Sequence, residues 1–296
     1  MLATNNLTKR YGNFTALDNV SITIEQGQCC GVLGPNGAGK STMFRLLMGF
    51  LRPTSGTAQI AGHDCQKQQN LVHQQVTYLP GDVRLPGAMR GRNVLQFFAE
   101  VHPHGNYQRA LDTAKRLDLD LSRRVAFMST GMRQKLGLCI VLSNESPVAI
   151  MDEPTTSLDP NVRLEVIHLI KEANDAGKTV VICSHVLSEI EDICSRAIIM
   201  RSGQVVHDQD LANLRNQHII QCRLPDAMPE IPSDLSSLMT NFEHKGERIQ
   251  FSTNGDLSPI LPWLTGLNAS EVQIRQIGLK AIYQQHHDTT AEEVSP

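Results

Sequence analysis

"CCGVLGPNGAGKSTMFRLLMGFL" (residues 29–51) reads as strand, turn and helix. A short apolar run ends at Gly34, a glycine-rich turn comes next, and "KSTMFRLLMGFL" has helical periodicity. Within it, "GPNGAGKST" (34–42) fits the pattern G-x-x-x-x-G-K-[ST] in the setting that pattern requires. Gly34, Gly37 and Gly39 let the chain curl, with Pro35, Asn36 and Ala38 completing the turn, so that successive N–H groups face a phosphate. The helix N-terminus adds partial positive charge. Lys40 is placed to reach β- and γ-phosphates, Ser41 to ligate Mg²⁺, and Thr42 to hold the α-phosphate side. The competing reading, a glycine-rich turn with a solvated lysine, leaves the flanking strand and helix without a purpose. The stretch predicts binding of a nucleoside triphosphate.

Outward from this loop, strands and helices alternate. "FTALDNVSITIEQG" alternates apolar and polar residues, as half-buried strands do, and "SGTAQIAGHD" (55–64) and "QVTYLP" (75–80) read as further strands. "GRNVLQFFAEV", "YQRALDTAKRLDL" and "GMRQKLGLCIVL" are helical, and "PVAIMDEP" (147–154) is a continuously buried strand. Asp159-Pro160 opens a helix, with Asp as N-cap and Pro in the first position. "TVVICSH", "VLSEIEDIC" and "RAIIMRSGQVV" add strand, helix and hairpin. The expected fold is α/β: a P-loop NTPase with a mostly parallel sheet, an N-terminal antiparallel β subdomain and an inserted helical subdomain at about 82–147. It should occupy residues 1–218. Residues 219–288 read as a small α+β appendage with a hairpin turning near Gly246, and 289–296 as a disordered tail.

The totals narrow the function. The chain has 296 residues, 41% hydrophobic and 19% charged, which describes an ordinary globular protein. A net charge of −3 and 4% aromatics argue against nucleic acid as a partner. Seven cysteines, with no C-x-x-C pair, read as reduced and buried thiols. The polar start "MLATNNLTKRYG" has no secretory apolar region, and no apolar run approaches the roughly 18 residues of a membrane span. The chain is therefore expected not to cross a membrane.

The loop alone does not separate ATPases from GTPases and kinases. "VAIMDEP" ends a buried strand on two adjacent carboxylates, and strand neighbours point opposite ways. Asp152 can then face the Mg²⁺ shell while Glu153, at the turn, aims at an attacking water as general base. The plainer alternative is a pair of loop acids before Pro154. With these residues in place, the chain resembles the nucleotide-binding domain of ATP-binding cassette (ABC) transporters over about residues 3–215. "DEPTTSLDP" is similar to that family's Walker B and D-loop, "CSHVLSEIEDICSR" to its switch-histidine segment, and "MSTGMRQKLGL" (128–138) to its LSGGQ signature. The resemblance implies ATP and Mg²⁺ as ligands, His185 as a second catalytic group, and Tyr11 of "TKRYG" stacked on adenine. Each also has a bland reading: His185 as a helix-start residue, Tyr11 as packing, Asp159 as a helix cap.

Ser129 would cap a helix whose first N–H groups form an anion site. With one P-loop per chain, the resemblance implies that Ser129 and Gly131 meet the ATP of a second ATPase subunit, in a homodimer or with a similar chain, and that Asp159 contacts that partner. Two departures stand out. Thr130 and Met132 replace a glycine and the glutamine of the signature, and Gly81 stands where many relatives carry the Q-loop glutamine, so that contact is lost, replaced by water or taken over by Asp82. "YLPG", "STGMRQK" and "EVQIRQIGLKAIYQQHHD" look most like ATPase subunits of bacterial two-component exporters of drugs, antibiotics or lipophilic compounds. That implies integral-membrane permease subunits as partners and a place on the inner face of the cell membrane. The alternative is a non-transport ABC ATPase acting on the ribosome or DNA. Such chains usually carry two cassettes or a long coiled coil, and neither is present.

Overall fold

The computed structural model describes residues 1–215, 217–224, 231–254 and 257–288, so the expected tail at 289–296 lies outside the described residues. The chain divides into two compact units, Met1–Asp208 and Gln209–Pro296.

The first unit runs β1 (Leu2–Tyr11), β2 (Phe14–Ile24), β3 (Cys29–Leu33), α1 (Lys40–Leu47), β4 (Ser55–Ile60), β5 (His63–Asp64), α2 (Gln69–Gln75) and β6 (Val76–Leu79). Then come α3 (Gly91–Val101), α4 (Tyr107–Arg116), α5 (Thr130–Ser143), β7 (Val148–Asp152), α6 (Pro160–Asp175), β8 (Thr179–Cys183), α7 (Leu187–Ile193), β9 (Arg196–Arg201) and β10 (Gln204–Asp210). Two sheets form. One has the order β2-β1-β4-β5, with antiparallel neighbours throughout. The other has the order β10-β9-β3-β8-β7-β6, in which β9, β3, β8, β7 and β6 run parallel to one another.

Every residue of "CCGVL", "VAIMD" and "TVVIC" is buried, as expected of parallel strands covered on both faces. Close helix packing has a backbone requirement as well: a Cβ at Gly31 of β3 would stand 2.3 Å from Ile190 Cγ2 of α7. The carboxyl ends of β3, β7 and β8 lie side by side, the position where parallel sheets place their ligands. Helices α3, α4 and α5 lie in the chain between β6 and β7 and pack on one another. Helix α5 is buried almost all round, its buried set including Gln134, Leu136, Leu138, Cys139, Val141 and Leu142.

The second unit continues with α8 (Leu211–Arg215), β11 (Gln217–Arg223), α9 (Ser233–Ser236), β12 (Met239–Lys245), β13 (Arg248–Asn254), α10 (Ile260–Gly266), β14 (Ser270–Gln276) and α11 (Leu279–Asp288). Its sheet has the order β12-β13-β11-β14, all antiparallel, so β11 through β14 form the β-α-β-β-α-β arrangement of a split βαβ fold. Ile220, Leu235, Ile249, Phe251, Ile260 and Leu264 make its separate core. The divide falls at 208/209 instead of the expected 218/219. Leu211 and Leu214 of α8 are buried and the helix packs against β11, so this short helix belongs to the second unit.

Candidate active site

The turn between β3 and α1 needs its glycines for different reasons. Gly34 (φ +150°) leaves no room, because a Cβ there would be 2.3 Å from Met200 O. Gly37 (φ +82°) meets nothing within 4 Å and faces the open cleft. Asn36 through Thr42 line that cleft of about 310 Å³, together with Gly81, Asp152, Glu153 and Cys183. Lys40 Nζ donates to the carbonyls of Gly34 (2.6 Å) and Pro35 (2.9 Å), which holds the ammonium over its own loop. Ser41 Oγ donates to Asp152 Oδ2 at 2.7 Å. A hydroxyl and a buried carboxylate side by side at the end of a phosphate loop are a fitting oxygen ligand pair for Mg²⁺.

One residue beyond β7, Glu153 adopts φ +55°, a conformation rare for a side-chain-bearing residue. This turns its carboxylate toward β8. Oε2 receives His185 Nδ1 at 2.6 Å and Thr156 Oγ1 at 3.3 Å, and Cys183 Sγ lies 3.9 Å from Oε1. A carboxylate only accepts, so Nδ1 carries the hydrogen and the ring's Nε2 is left for other partners. Burial, with Asp152 nearby, pushes the Cys183 thiol well above the ordinary thiol range. Cys183 is thereby a neutral packing group and not a competing nucleophile.

Three further side chains organise this corner, and none stands out in the sequence. Gln134 of α5, 4% exposed, donates from Nε2 to Glu153 O (3.1 Å) and Pro154 O (3.0 Å). Glu189 of α7, 3% exposed, accepts from Thr155 Oγ1 (2.8 Å) and Ser184 Oγ (2.9 Å) through one oxygen. It joins the loop after β7 to the turn before His185. Arg163 Nε lies 3.5 Å from the other oxygen of Glu189. Amphipathic periodicity would assign Gln134 and Glu189 to solvated helix faces; only the packed arrangement gives them partners.

The expected residues separate into groups. The phosphate loop, Asp152, Glu153 and His185 come together. Ser129 and Asp159 cap α5 and α6, accepting from Met132 N (3.2 Å) and Val162 N (3.1 Å), and neither lines the cleft. Gly131 sits against the D-loop, where a Cβ would be 2.6 Å from Ser157 O. Tyr11 is 47% exposed, with Lys9 Nζ 4.9 Å over its ring, and does not line the cleft; Phe14, its partner across the β1–β2 hairpin, does. Asp82 pairs with Arg84 at 2.8 Å and does not line the cleft.

Fold and site together define a P-loop ATPase with a glutamate at a strand end and a histidine beside it. Comparison with known proteins narrows the class. The family described as "ABC transporter" matches residues 17–156. The daunorubicin resistance ATP-binding protein DrrA3 of Streptomyces coeruleorubidus is 36% identical over 67% of this chain, which spans 64% of that protein's length. The ABC transporter ATP-binding protein NatA of Bacillus subtilis is 34% identical, with 67% of this chain and 83% of that protein covered. The Nod factor export ATP-binding protein I of Cupriavidus metallidurans is 28% identical over 96% of both chains. A solved ATP-binding subunit of an ABC transporter overlays with a TM-score of 0.68 at 25% identity, covering 73% of this chain and 92% of that one. A dimeric cassette bound to ADP and phosphate shares the fold, with a TM-score of 0.66 at 24% identity, covering 71% of this chain and 99% of that one. The chain belongs to the ABC transporter family, as an ATP-hydrolysing cassette of that family.

Proposed function

We propose that two copies of this chain close head to tail around ATP and that the closure drives a separate membrane permease in exporting a drug-like, lipophilic or other small compound. The observation that carries this reading is the division of functional residues. The phosphate loop, Asp152, Glu153 and His185 share one corner, whereas Ser129 and Gly131, which stand at the start of a helix, do not line the cleft. A second anion site away from the first needs a second triphosphate. The relatives named for daunorubicin resistance and Nod factor export support the export of small molecules. No helix among the described residues is long and apolar enough to cross a membrane, which fits a permease carried on other chains.

In this reading the phosphate-loop N–H groups and Lys40 bind the triphosphate, and Phe14 lies at the end of the cleft suited to a base. Mg²⁺, when bound, would neutralise phosphate charge; Ser41 and Asp152 would hold it. Glu153 takes the proton of the attacking water, and His185 orients its carboxylate. Ser129, Gly131 and Asp159 act across the dimer, and the assembly sits on the inner face of the cell membrane through its permease.

The test is Glu153→Gln in the full chain. With MgATP it should lose nearly all turnover and sediment as an ATP-bound dimer. Ser129→Ala should likewise lose hydrolysis while binding ATP as a monomer with unchanged affinity. A monomeric Glu153→Gln that still hydrolyses ATP rules the reading out.

A further inference from the structure

The backbone of Glu153 is held from two sides. Its N–H donates to Cys183 O of β8 at 2.9 Å, and its carbonyl accepts from Gln134 Nε2 of α5 at 3.1 Å. The same nitrogen donates to Pro154 O at 3.0 Å, so both hydrogens of the amide are spent on this one turn. The turn needs that support, because Glu153 holds φ +55° and Ser157, four residues on, holds φ +64°. Gln134 is buried, and its amide nitrogen is directed wholly at these two carbonyls. Its helix begins at the Ser129 cap, and Gly131 of the same helix rests on Ser157 O.

We propose that Gln134 is a positioning residue for hydrolysis: it fixes the main chain of Glu153, and through it the direction of the carboxylate, and it makes that direction depend on the seating of helix α5. The helix that begins at Ser129 is then tied to the base of its own chain by two hydrogen bonds. A shift of α5 by about an ångström breaks both and lets the glutamate relax, a scale of misplacement that costs on the order of a hundredfold in rate. An apolar side chain of the same size leaves Pro154 O without its side-chain donor and Glu153 O with only the Thr156 N–H at 3.3 Å. This role rests on the reading of Glu153 as the base.

The experiment compares Gln134→Leu, Gln134→His and their combinations with Glu153→Gln in the full chain. It measures saturating turnover, single-turnover hydrolysis and equilibrium binding of ATP. Gln134→Leu should lower kcat about tenfold or more while ATP affinity stays within about twofold, because no phosphate contact is touched. Gln134→His keeps a donor at similar reach and should recover most of the loss, and it carries the test if the leucine variant does not fold. In the Glu153→Gln background, Gln134→Leu should add little further loss, since the two act in series. Full additivity, a parallel loss of ATP affinity, or wild-type turnover by Gln134→Leu overturns the proposal. Normal turnover by Glu153→Gln alone would instead remove the base assignment on which it rests, and the two failures are told apart by that single variant.

Discussion

A Cβ built at Gly81 would meet the carboxyl of Asp152 at 3.7 Å, an ordinary contact, and the backbone there lies outside the left-handed region. A side chain therefore has room where the family usually has a glutamine, at a position whose Cβ stands beside the Asp152 carboxyl that Ser41 bonds. Gly81→Gln should leave the melting temperature within about 2 °C and lower the Mg²⁺ concentration for half-maximal hydrolysis, measured by titrating Mg²⁺ at fixed ATP. An unchanged Mg²⁺ dependence would mean that Ser41 and Asp152 suffice. Geometry also separates Tyr11 from Phe14. The motif directs attention to the tyrosine, yet the ring bordering the cleft is Phe14, its partner across the hairpin. Phe14→Ala should raise the ATP concentration for half-saturation several-fold, and Tyr11→Ala should not, since one aromatic stack on a base is worth about 1–3 kcal/mol. Chemistry restricts the residue types of a phosphate loop to a few, so the sequence singles them out; an adenine contact is less restricted, because any exposed ring near the loop satisfies the pattern, as Tyr11 and Phe14 both do.

Among the elements, the helix starts could be read from sequence alone. Ser129 and Asp159 cap α5 and α6 as their positions predict, since a cap is a local matter of one side chain and an N–H three residues on. Asp159→Ala should cost about 1 kcal/mol in urea unfolding for the cap alone, so a much larger fall in hydrolysis than in stability would point to a contact across the dimer. The links between elements were hidden. Glu189 reaches back 34 residues to Thr155, after β7, and 5 residues to Ser184, after β8, and no periodicity encodes that. Its second oxygen is buried beside Arg163 without a hydrogen bond. Glu189→Leu leaves two buried hydroxyls without an acceptor and should destabilise the first unit by about 3 kcal/mol, with kcat falling further because the turns bearing Glu153 and His185 lose their tie. Urea unfolding and turnover on the same preparation would check both, and a stable variant of normal activity would show that the two turns hold themselves.

The whole chain has two cores, and its thiols are unevenly shared between them. All seven cysteines are buried and outside any disulfide, and only Cys222 belongs to the second unit. Composition pointed to reduced thiols, but the place of the divide depended on Leu211 and Leu214, whose burial shows only in three dimensions. Burial pushes Cys30, Cys65 and Cys139 from 9.0 up to about 12, and it raises Cys183 as well. These groups keep their protons in the folded unit while the unfolded chain gives them up above pH 9. Their contribution is thus whole below pH 9 and is lost as pH rises toward 12, at about 1.4 kcal/mol per thiol per pH unit. Lys178 works the other way. Burial and nearby Arg109 lower it from 10.5 to about 8, so between pH 8 and 10.5 the folded unit releases a proton that the unfolded chain retains, and stability rises. Four thiols outweigh one amine, so stability falls on balance above pH 9. Circular dichroism, dominated by the larger unit, should show a urea midpoint dropping steeply between pH 9 and 10. Trp263, the single tryptophan, packs on Phe251 in the second unit, so its fluorescence should report a shallower dependence. Cys139→Ala should flatten the steep slope by about a quarter of the thiol contribution. If both probes fall together with equal slope, the units unfold as one, and if the slope survives in Cys139→Ala, the buried thiols are not its source.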